Sequence, residues 1–183
     1  MSEELIVRYC SPTLAGIKTG NMFVCSYADV NEMRDAVRRC NRQLGNKGIR
    51  FLPLRFRNNR ALIYVYRPAR LYQDLQDGTA CKLLQERGYG MDTPKRCILH
   101  LMKRLSECEE FPHEIGLFLG YPPEDVEGFI ENKADECKCV GYWKVYSDAE
   151  TAQKTFAKYK KCSDVYCAQL AKGRSIERLT VAG

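Results

Sequence analysis

The chain has 183 residues and a mass of 21.1 kDa, suiting one ordinary domain, and its 45% hydrophobic and 28% charged residues are a globular rather than a disordered balance. The acidic start, with Leu5-Ile6-Val7 closed by Arg8, predicts no secretory signal, and the longest apolar runs, Ala61–Tyr66 and Ile115–Tyr121, fall far short of the roughly 18–20 residues of a spanning helix. The expectation is a cytoplasmic protein with no membrane partner, whose 10 cysteines are reduced thiols and mostly small core side chains.

Glu4–Cys10 reads as a short strand or a helical turn. Ser11-Pro12 offers an N-cap and a first-position proline for a short helix reaching about Lys18, stopped by Gly20-Asn21. Met22–Tyr27 is expected as a strand. Asn31 is placed to cap a helix whose Met33, Ala36, Val37, Cys40 and Leu44 share one face, with Arg34, Arg38 and Arg42 on the other and Gly45 and Gly48 closing it. In Arg50–Arg57, Leu52, Leu54 and Phe56 alternate with Pro53, Arg55 and Arg57; Asn58-Asn59 then makes a turn, and Ala61–Arg67 returns as a strand. Pro53 implies that the first of these strands lies at an edge or carries a bulge.

From there the pattern turns helical. Helices are expected over Leu71–Arg87, Pro94–Cys108, Pro112–Leu119 and Pro123–Glu131. Gly141–Tyr146 reads as a strand, and Ser147-x-x-Glu150 as a capping box opening a long helix to about Gly173. With no repeat, low-complexity segment or linker, residues 1–183 are expected to form a single α+β domain. Its small mixed or antiparallel sheet would be covered by about seven helices.

Chemistry concentrates first in Phe111–Ile130, where prolines and glycines bound two short helices. His113, one of only two histidines, falls in the first turn of its helix, a place that suits a neutral base or ligand, and Glu114 follows it. Cys10 precedes the expected Ser-Pro helix start, where backbone N–H groups would favour a thiolate, and Lys18 adds positive potential. A cysteine nucleophile needs a histidine that chain distance does not preclude, so Cys10 and His113 form a coherent pair, with Glu114, Lys18 and Lys144 as supporting groups. The bland readings are a locally bonded histidine and a buried thiol.

Metal binding is not expected. Cys137-x-Cys139 and Cys162-x4-Cys167 lack the C-x2-C spacing of structural zinc sites, and Cys108 and His100 lie apart from them. No cofactor is expected either, since phosphate-loop, G-x-G-x-x-G, G-x-S-x-G and H-E-x-x-H patterns are all missing.

Charge forms the second constellation. The first 90 residues carry 15 basic against 8 acidic side chains, the remainder 14 against 15, and between Arg34 and Arg70 the only acid is Asp35. Arg38, Arg42, Arg55 and Arg57, with Phe51, Tyr64 and Tyr66 near, could present a basic aromatic face to nucleic acid or an acidic protein partner.

Four blocks occur together: Ser11–Phe23, Ala61–Arg67, Phe111–Ile130 and Gly141–Tyr146. In these the chain resembles a bacterial family catalogued as domain of unknown function 3793. The resemblance spans nearly the whole chain and implies one full-length cytosolic domain of bacterial origin; it brings no activity, cofactor or site residue. Two functions are therefore carried forward. One is a thiol-dependent hydrolase or transferase, acting on a small molecule or peptide through Cys10 and His113. The other is a non-enzymatic binding module using the arginine surface.

Overall fold

Ser2 sets the first element: its hydroxyl accepts from Leu5 N at 3.3 Å, Glu3 and Glu4 fill the electropositive first turn, and helix α1 runs over Glu3–Leu14. The structure, a computed structural model, describes residues 1–107, 110–133 and 135–183. A helix beginning at Ser11-Pro12 is not what forms. Pro12 lies in the last turn of α1, where its missing N–H costs a single bond, and the Ser11 hydroxyl donates back to Val7 O instead of capping. Gly16, at φ 73°, takes the left-handed conformation that ends the helix.

Strand β1 (Gly20–Ser26) leads to helix α2 (Val30–Leu44). Asp29 rather than Asn31 is its cap, its carboxylate accepting from Asn31 N at 2.6 Å and Glu32 N at 2.9 Å. After a 3-10 turn, strands β2 (Arg50–Arg57) and β3 (Arg60–Tyr66) form a hairpin. Asn58 and Asn59 both take positive φ, the turn geometry whose twist matches paired strands. The sheet is antiparallel in the order β1-β3-β2, pairing Phe23 with Ile63 and Phe51 with Val65. Strand β2 is at the edge, and its register shifts between Pro53 and Arg55, so the proline removes no ladder bond from a central strand.

The expected helix over residues 71–87 is two helices, α3 (Pro68–Asp74) and α4 (Gly78–Gln85). Asp77 breaks the run and caps α4 through Thr79 N at 2.9 Å and Ala80 N at 3.0 Å. Helix α5 covers Pro94–Glu107; the expected end at Cys108 lies outside the described residues. Helices α6 (Ile115–Phe118) and α7 (Pro123–Glu131) follow, then a short hairpin of β4 (Cys139–Val140) and β5 (Lys144–Val145) where one longer strand was expected. Helix α8 (Ala149–Ala171) is capped by Asp148, which accepts from Thr151 N at 3.1 Å; Glu150, the expected box partner, instead pairs with Lys154 at 2.6 Å. Helix α9 (Ile176–Leu179) closes the chain. The fold is α+β. Among the described residues it has nine α-helices, the two beyond expectation being the split at Asp77 and α9.

These elements make two compact units, Met1–Ala69 with Tyr159–Gly183, and Arg70–Lys158. In the first, one sheet face packs against α1 and α2 around Val7, Cys10, Leu14, Val37, Phe51 and Ile63. Burying those side chains supplies the driving force, roughly 1.5–3 kcal/mol for each large one. In the second, α7 is the hub, packing against α4, α6 and β5.

Candidate functional site

The second unit contains a pocket of about 210 Å³, built on α6, α7 and the β4–β5 hairpin. Its floor and walls are Ile115, Gly116, Val126 and Trp143, all buried, with Tyr121 and Phe129 partly so. Phe111, 44% exposed, and His113, also exposed, stand at its mouth.

Local sequence explains the shape. Gly116 lets α6 approach α7 directly, since a Cβ there would come within 2.7 Å of Val126 Cγ2 and 3.1 Å of Tyr121 Cδ2. Gly120, at φ 71°, reverses the chain after α6 so that Tyr121 N donates to Gly116 O and the tyrosine ring returns over the helix. Tyr121 then lies 5.0 Å from Trp143, centroid to centroid, and burial pushes its phenol up to about 12.

A buried carboxylate fixes the Trp143 side of the pocket wall. Asp125 accepts from Trp143 Nε1 at 2.6 Å, Tyr146 N at 2.8 Å and Ser147 N at 2.8 Å, so both its oxygens are used in tying the hairpin to α7. Gly128, one turn on, leaves room for the Tyr146 ring against the same helix face. The indole is thereby aimed by its own N–H, with its far side packed edge-on to Phe156 at 4.5 Å. Its position is a consequence of hydrogen bonding and not of loose packing.

His113 meets the pocket edge-on, 4.9 Å from the Phe129 ring, and Lys144 Nζ lies 5.9 Å over the same ring. The expected placement of His113 within the first helical turn is corrected: α6 begins at Ile115 and is four residues long, and His113 belongs to the turn before it. Glu114, 1% exposed, accepts from Tyr89 OH at 2.9 Å and lies 2.7 Å from Arg104 Nε. It is an ion-paired internal anchor, and its charge adds to desolvation in raising the Tyr89 phenol.

Cys10 is fully buried in the first unit's core. The helix-start argument for it fails with the corrected α1: it sits in the helix, away from the N-terminal N–H groups. Burial pushes its thiol up, with Lys18 opposing weakly. Lys18, 2% exposed, is itself turned inward, donating to Gly20 O. Of the alternative residues, Arg42 and Arg57 are exposed, Arg38 is exposed and paired with Asp35 at 2.8 Å, and Arg55 is partly buried. Phe51 and Tyr64 are buried and offer no stacking platform; Tyr66 stacks on Tyr64 at 4.5 Å. Among the described residues no disulfide joins two of the nine cysteines, and no three metal-ligating side chains converge. His100 packs against Tyr89 at 4.2 Å.

Sequence reasoning missed Asp125, Trp143 and Phe129 as pocket groups. An acid in a helix's first turn reads as dipole compensation. The one signal that could have found the indole is that Trp143 is the chain's lone tryptophan.

Fold and site together define an α+β protein with an apolar aromatic pocket in its second unit. The chain belongs to the family described as proteins of unknown function DUF3793, whose model matches residues 6–180. No curated protein and no solved structure matches it. Among the described residues no helix is long and apolar enough to cross a membrane.

Proposed function

We propose that the protein is a small-molecule receptor, its second unit binding a compact aromatic or branched apolar group in the pocket bounded by Phe129, Trp143, Tyr121 and His113. The observation that carries this is the combination of size and rigidity. About 210 Å³ exceeds the 150 Å³ of an engineered apolar cavity that takes up benzene, and its walls are held by Asp125 rather than left to collapse. His113 at the mouth supplies the group that orients a polar substituent. It is also positioned for acid–base work on a bound ligand, which keeps part of the enzymatic reading alive. The thiol half of that reading draws no support from Cys10, a buried thiol in the other unit, raised where a nucleophile needs to be lowered.

The chain's single tryptophan is Trp143, so its fluorescence reports the pocket alone. Titration of the full chain with 3-phenylpropan-1-ol, a neutral probe, should change that emission saturably. Phe129→Ala, which removes a half-buried wall, should weaken binding about tenfold, the effect of losing roughly 1.4 kcal/mol of apolar contact. A linear, unsaturable response in the folded wild-type chain overturns the proposal.

A further inference from the structure

Phe111 and His113 belong to two concavities at once. Behind the aromatic pocket they also edge an open cleft of about 380 Å³, lined further by Arg87, Arg104, Glu110 and Glu114. The same two side chains thus separate an apolar chamber from a polar one within the second unit.

The polar chamber has two guanidiniums and one buried carboxylate at its base. Glu114 is one carboxylate between two guanidiniums: Arg104 Nε is 2.7 Å from one oxygen and Arg87 Nε 4.0 Å from the other. The remaining partners of Arg87 are Leu83 O at 2.8 Å and, at 3.9 Å, the exposed carboxylate of Glu86. Arg104 makes no other ion pair or hydrogen bond among the described residues, and its Nε–H is not aligned on Glu114. Among the described residues Glu114 is therefore the one buried counter-charge of two partly buried cations, Glu86 offering Arg87 only an exposed one. A partly desolvated guanidinium gains most from a second, charge-assisted acceptor.

Resting on the receptor reading above, we infer that the ligand is an amphipathic carboxylate: an aromatic or branched apolar body in the pocket, and a carboxylate passing His113 to reach Arg87 and Arg104. A carboxylate fits better than a phosphate dianion because Glu114 already answers part of the arginines' charge and Glu110 stands on the rim, leaving donors such as the unaligned Arg104 Nε–H. One added negative charge suits the remaining donors; two would meet repulsion from Glu110. Arg87, Arg104 and His113 then select the head group, while Phe129 and Trp143 select the body.

The test compares 3-phenylpropanoate, 3-phenylpropan-1-ol and benzyl phosphate on the full chain, by Trp143 emission and ligand-observed NMR. The acid is expected to bind about tenfold tighter than the alcohol or better, as one charge-assisted contact gives, and tighter than the phosphate. Arg87→Gln, which leaves the Arg104–Glu114 pair in place, should abolish the acid's advantage over the alcohol, read as the ratio of their affinities; Arg104→Lys should reduce it. Equal saturable binding of acid and alcohol overturns the carboxylate assignment and leaves the receptor reading standing. Failure of all three probes removes both. Preference for the phosphate, or an acid preference that survives in both variants, overturns the assignment of the head group to these arginines.

Discussion

Cys10 and Asp125 show how one residue type changes meaning with its surroundings. The Cys10 thiol, desolvated among Val7, Leu14 and Phe23, keeps its proton longer in the folded chain than in the unfolded one. Its contribution is fully present below the unfolded thiol value of about 8.5 and is lost as pH rises above it. Cys25 and Cys97 are raised by burial in the same direction, so alkaline conditions weaken both units. The urea midpoint is expected to fall between about pH 8 and about pH 10.5, and Cys10→Ala should flatten that fall; an unchanged slope would contradict the assignment. In the folded protein at neutral pH, iodoacetamide should label exposed Cys167 well before Cys10, read by mass spectrometry.

Asp125 is the counterpart, an acid whose part is to accept three hydrogen bonds. Asparagine at this position keeps the volume and one acceptor but turns an amide N–H₂ toward either Trp143 Nε1–H or the two backbone donors. Asp125→Asn should cost about 1–3 kcal/mol, the penalty of a buried donor left unsatisfied, and should broaden and red-shift Trp143 emission. Denaturation followed by fluorescence measures both effects at once.

Elements were legible where local chemistry alone decides them. The β2–β3 hairpin followed from Asn58-Asn59 and the alternation around it, and the edge position of β2 from Pro53. The α1 boundary was not legible, because Ser11-Pro12 carries a strong start signal that is overridden once Ile6, Val7, Cys10 and Leu14 share a buried stripe. Likewise Glu114 was picked out as special, yet its partners Tyr89 and Arg104 are brought to it by packing between elements, which no spacing encodes. The same holds for Arg67. Its guanidinium donates to Thr13 O at 2.7 Å, Leu14 O at 2.8 Å, Val181 O at 2.7 Å and Lys47 O at 3.3 Å, joining the end of α1, the turn after α2 and the C-terminal segment. In the sequence it was simply one more arginine of the basic stretch. Arg67→Met leaves several buried carbonyls unanswered and should cost about 3–5 kcal/mol. Arg67→Lys, retaining the charge without the planar fork, should recover only part of that; full recovery in thermal unfolding would show that charge alone matters.

For the molecule as a whole, the pocket falls in Phe111–Ile130, the stretch the sequence singles out first, while the uneven charge that marks the alternative surface lies in the other half of the chain. The exposed arginines Arg34, Arg42, Arg57 and Arg60 form a solvated surface whose long-range attraction is screened over about 8 Å at physiological ionic strength. A ligand in the proposed pocket would instead be held by burial, which salt does not screen. The two kinds of association are therefore separable by ligand-linked stability. At a hundredfold excess over its Kd, a ligand that occupies only the folded pocket stabilises it by about 2.7 kcal/mol. Because Trp143 is the only tryptophan and lies in the second unit, fluorescence-detected unfolding follows that unit directly. Saturating 3-phenylpropan-1-ol is expected to raise the Trp143-detected midpoint by several degrees, equally at low and high salt. Phe129→Ala should need about ten times more probe for the same shift. A shift that vanishes with added salt would place the interaction on the charged surface instead of in the pocket.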